Sequence, residues 1–292
     1  MNPTTIILIL LSCLMHAGWN LLARRGRREA TCMRRMLVAI AAAGFFPALI
    51  SEMHALSLTP TAWFCVLGSG VCCGFYYFGL ARSYQSSDFT TAYPLVRALP
   101  VLLVGLGDLA LGRYPSGPGW IGMALVVAGC LLAPQRSFRD LRLRHYLHRS
   151  LWWALLAALG TVGYTLLDMQ AAAVVSRGPA TAARYGYFFF LISAAVYMGL
   201  VQLRGTRDTG AEKTGWWLPT LAAVLNFGAY WLVLWAYQLA QHASYVVAFR
   251  QFSIVLGVII AFAAFREKGL FVRLSGTFLI TAGLVLIALY GG

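Results

Sequence analysis

Two arginines, Arg97 and Arg250, each stand about eight residues inside an apolar run of the sequence. A charge near the centre of a bilayer costs at least about 2.5 to 3.5 kcal/mol on insertion scales, so a residue kept there is expected to face a polar interior and to serve it. A guanidinium binds carboxylate or phosphate groups through paired hydrogen bonds, which makes an anion site the functional expectation. The alternative is structural, an arginine tied to backbone carbonyls or to an acid such as Asp108. Tyr93 precedes Arg97 by four residues and shares its helix face, and Pro94 between them removes a backbone hydrogen bond, marking a gate or hinge. Gln251 and Ser253 flank Arg250 with no equivalent proline.

Other polar side chains in apolar runs fall into pairs. Tyr77 and Tyr84, like Tyr230 and Tyr237, are seven apart, so each pair can wall a substrate path from one helix face; packing between helices is the competing role. His16 and Asn20 are four apart in the first run, with Thr161 and Thr165 in the corresponding positions of the second half. Histidine titrates near neutral pH, so His16 is the candidate for proton coupling, against a purely hydrogen-bonding role. Arg97, Arg250, Tyr93, Tyr77, Tyr84, Tyr230, Tyr237, Asn20 and Gln251 thus form the expected substrate-binding set. Asp108 and Asp168 lie near the ends of their runs and are expected to be solvated.

The elements that must hold these residues are membrane helices. Of 292 residues, 60% are hydrophobic and only 11% charged, against about a quarter charged in soluble domains. At about 20 residues per span, the runs near 4–23, 36–54, 60–81, 89–111, 118–133, 151–173, 184–203, 216–239, 242–264 and 270–290 are ten spans. They leave no room for a separate soluble domain. The net charge of +14 does not indicate nucleic acid, because the basic residues cluster between the runs as topology determinants do. Five of the six cysteines fall inside apolar runs, without a Cys-x-x-Cys pair, so neither a metal site nor a cofactor is expected. An integral-membrane enzyme would need a nucleophile and base, or a metal cluster, at one depth, and no Gly-x-Ser-x-Gly, His-Glu-x-x-His or phosphate-binding loop occurs.

The two halves repeat each other. At an offset of 153, Trp63 falls on Trp216, Tyr77 on Tyr230, Tyr84 on Tyr237, Arg97 on Arg250 and Arg113 on Arg266; one residue later Gly122 and Gly129 fall on Gly276 and Gly283. This divides the chain into a first five-helix repeat (1–133), a basic linker (134–150) and a second repeat (151–292). Five is odd, so the second copy enters from the opposite face. The fold class is therefore all-α integral membrane, ten transmembrane helices in two inverted five-helix repeats that can enclose a midplane site and rock around it. The glycines spaced by seven permit close helix contact, either within the chain or in a homodimer. Loops on one side hold 18 Lys and Arg, those on the other only Arg113, Arg177 and Arg184, which predicts a cytoplasmic linker and both termini outside the cytoplasm.

The five-plus-five plan, Ala92-Tyr93-Pro94-Leu95-Val96-Arg97 in the fourth run, His16-Ala17-Gly18-Trp19-Asn20 in the first, and the endings Gly122/Gly129 and Arg266-Glu267…Gly276/Gly283 together resemble the EamA-type ten-helix proteins of the drug/metabolite transporter superfamily. The first half departs by carrying Tyr114 in the place of Glu267. The resemblance implies secondary transport of a small organic metabolite across a bacterial inner membrane by alternating access. The arginines favour an anionic or zwitterionic substrate. A lipid-carrier translocase of the same superfamily is the alternative. The expected partners are a small-molecule substrate and the lipid bilayer, with a homodimer possible and no nucleic acid.

Overall fold

A computed structural model describes residues 1–25, 29–86, 89–135, 137, 151–204, 215–265 and 270–291. The first repeat is built of α1 (Pro3–Arg25), α2 (Glu29–Ala55), α3 (Pro60–Ser86), α4 (Phe89–Ala110) and α5 (Gly117–Leu132). The second contains α6 (Leu151–Val174), α7 (Pro179–Leu203), α8 (Trp217–Tyr237), a ninth span in two pieces, α9 (Ala243–Arg250) and α10 (Phe252–Phe265), and α11 (Leu270–Tyr290). Among the described residues there is no strand, and seven helices are long and apolar enough to cross a membrane unaided. Most of the 134–150 linker lies outside the described residues, as do Arg266 and Glu267 and the side chains of Tyr84, Tyr93 and Pro94.

Helix starts follow local chemistry. Ser116 caps α5, its hydroxyl accepting the Gly119 N–H at 3.1 Å. Proline opens α3 and α7, where its missing N–H costs nothing. Two helices begin earlier than the apolar runs suggest. α2 starts at Glu29 instead of 36, because Cys32, Met33, Met36 and Leu37 continue one buried face while Arg35 lies over the Trp216 ring at 5.2 Å. α7 starts at Pro179 instead of 184, because Arg184 finds Glu52 across the bundle at 3.1 Å.

The principal helix pairings recur when the repeats are exchanged. α3 packs on α6 as α8 packs on α1; α3 meets α7 as α8 meets α2; α4 meets α6 as α9 and α10 meet α1. Three pairs cross the pseudo-twofold axis: α2 with α7, α4 with α9, and α5 with α11. With five spans per repeat, this is the inverted arrangement. The glycine stripes are used within the chain: a Cβ at Gly129 would stand 2.5 Å from the Gly276 carbonyl, and one at Gly122 would stand 2.8 Å from the Gly283 carbonyl. The two interdigitated repeats leave an interior walled by α1, α3, α4, α6, α7, α8 and α9.

Candidate functional site

The ninth span breaks without proline or glycine. The Gln251 N–H bonds back to the Ala248 carbonyl at 3.0 Å and the Ile254 N–H to the Gln251 carbonyl at 2.8 Å. Both are i to i−3 bonds, so the Arg250 carbonyl is released from the α-helical ladder. Three side chains use it: Arg97 Nη2 donates at 3.2 Å, Ser253 Oγ at 2.9 Å and Cys13 Sγ at 3.6 Å. Arg97 also donates to the Ser253 hydroxyl. Arg97 therefore ties α4 to the break, the structural role that sequence offered as the alternative.

Arg250, its counterpart, points elsewhere. Its guanidinium carbon sits 5.4 Å from the centroid of the Tyr230 ring, a cation–π contact. It borders two small adjoining cavities that share Tyr76, Tyr164 and Arg250 as walls. Among the described residues it forms no ion pair; the pairs present are Arg113 with Asp108 and Arg184 with Glu52. The first cavity is walled by His16, Trp19, Tyr77, Phe189, Phe190, Asn226 and Tyr230, the second by Arg97, Pro100, Thr161, Val247 and Gln251. As built, each has room for about one or two water molecules, and it is the lining, mostly aromatic with a few converging polar atoms, that is of the kind found in small-molecule sites.

His16 borders the first cavity with both ring nitrogens engaged. Nδ1 accepts from Trp19 Nε1 at 3.1 Å, the role of a neutral ring, and Nε2 lies 3.4 Å from Arg97 Nη1. The Tyr77 hydroxyl accepts from Asn226 Nδ2 at 3.0 Å. Gln251 donates Nε2 to the Val247 carbonyl at 3.0 Å, while its buried Oε1 has no hydrogen-bond partner. Two expected wall residues stand apart from both cavities. Asn20 turns back to bond the His16 carbonyl of its own helix at 2.8 Å, and Tyr237, 1% exposed, is part of the buried core.

The two aspartates expected to be solvated are both buried. Asp108 accepts Arg113 Nε at 2.9 Å and the Ser244 N–H at 2.8 Å, which anchors the start of α9. Asp168 accepts three hydroxyls, from Ser69 and Tyr185 at Oδ1 and from Tyr230 at Oδ2. It stands near the end of its run, but Ser69 of α3, Tyr185 of α7 and Tyr230 of α8 close over it. Asp168, Asn226, Tyr76 and Tyr164 were not in the expected set. The available signal was a carboxylate inside an apolar run, with Tyr164 one helical turn before it. Among the described residues no cluster of three or more His, Cys, Asp or Glu could hold a metal ion.

Residues 3–133 match the EamA-like transporter family. No curated protein sequence matches the chain. Among solved structures, one crystal structure aligns over 100% of this chain and 99% of its own at 14% identity, with a TM-score of 0.70. At that identity the likeness establishes the fold alone.

Proposed function

Because the chain belongs, through residues 3–133, to the EamA-like transporter family of the drug/metabolite transporter superfamily, we propose that it is a secondary transporter carrying a small anionic or zwitterionic metabolite by alternating access. The carrying observation is Arg250, a guanidinium bordering the central cavities with no ion pair among the described residues. A buried cation without a counter-ion is costly, and a ligand carboxylate that supplies one is favoured by charge and by hydrogen bonding together. The unpartnered Gln251 Oε1 in the adjoining wall is an acceptor for a ligand N–H or O–H, which favours a zwitterion or a hydroxy acid over a bare anion. Aromatic rings over the remaining surface suit an apolar body between those two contacts.

The cavities lie between two repeats related by an inverted twofold, so rocking one against the other exposes the same residues to each face in turn. The Lys and Arg bias orients the protein in a bacterial inner membrane with the linker in the cytoplasm and both termini outside.

The test is a thermal-shift screen of purified protein against organic acids, amino acids, phosphonates and organic cations, on the natural sequence and on Arg250→Gln. An anionic or zwitterionic hit lost in the variant is the expected result. Stabilisation by cations, or by anions equally in both proteins, moves the site away from Arg250. Reporter fusions at both termini test the orientation; activity of a periplasm-dependent reporter is expected at each.

A further inference from the structure

Asp168 is a carboxylate inside the bundle with no cation beside it. It is 1% exposed, it forms no ion pair among the described residues, and its bonds come from three neutral hydroxyls on three different helices, α3, α7 and α8. The oxygens are at hydrogen-bond separation, as with Tyr185 at 2.8 Å. In an octahedral shell, oxygens held about 2.3 to 2.6 Å from a metal ion stand about 3.3 Å or more from one another, so the cluster as built has the spacing of hydrogen bonds. One of the three donors is Tyr230, whose ring carries the Arg250 guanidinium on its face and borders the first cavity. A single side chain thus touches both the buried acid and the substrate-facing cation.

Resting on the transport reading above, we propose that Asp168 is the proton-binding site of this transporter and that Arg250, across Tyr230, sets its occupancy, so that an anion and a proton favour each other's binding. Arg250 unpaired holds Asp168 ionised, with all three hydroxyls donating. An anion seated on Arg250 cancels that field and a proton enters at Oδ2. The carboxyl then donates to the Tyr230 oxygen, and the phenol turns its own hydrogen towards the cavity. Linkage makes the effect reciprocal, and its sign is that of co-transport. His16, the candidate from sequence, is less suited, because Nδ1 is engaged by Trp19 and Nε2 faces Arg97.

Among the titratable groups around Asp168, Arg250 is the charged one. From α3 they are the thiols of Cys65, Cys72 and Cys73, from α7 Tyr185, from α8 Tyr230 and Tyr237, and from α9 Arg250. α4 also packs on α6, but it directs Arg97 to the break in the ninth span and Asp108 to Arg113.

Infrared spectra of the full-length protein in lipid, differenced against Asp168→Asn, isolate the protonated-carboxyl band of this residue. Asp168→Glu, which moves the band, assigns it independently should the asparagine protein fail to insert. As pH is raised the band is expected to titrate away, to persist to higher pH in Arg250→Gln, and to return towards its original behaviour in Arg250→Lys. A band that never titrates, or that titrates identically with and without charge at 250, overturns the proposal. Succinate added to the natural protein at the midpoint is expected to strengthen the band. If succinate and the wider acid panel leave both band and melting temperature unchanged while Arg250→Gln still shifts the titration, the anion site fails and the Asp168–Arg250 link stands.

Discussion

Arg97 and Arg250 occupy equivalent positions of the two repeats and have been given different work. Arg97 bonds the Arg250 carbonyl and Ser253, so its loss unties α4 from the break, while Ser253 still donates to that carbonyl at 2.9 Å. Arg97→Gln is expected to lower stability by about 1.5 to 3 kcal/mol, the worth of hydrogen bonds made by a charged group. It should be seen as a lower melting temperature with no added ligand. Arg250→Gln is expected to do the reverse, leaving the melting temperature of the unliganded protein nearly unchanged or raised while weakening anion binding by about tenfold or more, since a charge-assisted bond is worth roughly 1.5 to 3 kcal/mol. Titration of the thermal shift with the hit from the acid panel separates the two. Sequence identified both arginines by depth but not their division of labour, because that depends on a helix break at Gln251 that no proline or glycine announces. Asn226 was equally hidden. It bonds Tyr77 across the bundle, a contact between residues 149 apart that no local spacing encodes. Asn226→Leu is expected to cost about 1 to 3 kcal/mol by stranding the Tyr77 hydroxyl, and much of that loss should vanish in the Tyr77→Phe background.

At the scale of elements, the spans were legible because each apolar run ends at charges, proline or glycine, and the repeat was legible because uncommon residues recur in order. The pairing of helices was not, since lipid and helix faces are equally apolar; only the glycine stripes pointed to a seam, without saying whether it lay within or between chains. The α5–α11 seam resolves it and is sharply testable. A Cβ at Gly129 would meet the Gly276 carbonyl at 2.5 Å and the Ile280 N at 2.8 Å, whereas one at Gly199 would meet nothing within 4 Å. Backbone cannot yield as a side-chain end can, so Gly129→Ala is expected to destabilise by about 1 to 3 kcal/mol. Gly199→Ala is expected to stabilise by about 0.5 to 1 kcal/mol, the usual gain of alanine over glycine inside a helix. Equal melting temperatures for the two variants would mean that the seam relaxes freely and does not fix the crossing of α5 and α11.

For the whole molecule, the loops after the even-numbered spans share one face with both termini, and the Met1 amino group reaches the Ala288 carbonyl at 3.2 Å. That face is cross-tied. Glu52 joins Arg184 between α2 and α7, the Gly178 N–H bonds Gln238 Oε1 at 2.7 Å, and Asp108 joins the end of α4 to the start of α9 while Tyr245 receives the Ser116 N–H at 3.0 Å. The alternating access proposed above would require these ties to open together, and Asp108 is the one that also caps the half-span carrying Arg250. Removing such a cap costs about 0.5 to 2 kcal/mol, and one to two kcal/mol changes a two-state population by a factor of about 5 to 30. Cys73 borders the first cavity and is 3% exposed, so it reports opening with no added label site. Asp108→Ala is expected to speed modification of Cys73 by a membrane-impermeant maleimide applied from the face of the termini, several-fold over the natural protein, with no gain from the opposite face. A gain from both faces would mean that the bundle has loosened throughout, and no gain from either would remove the start of α9 from the gate.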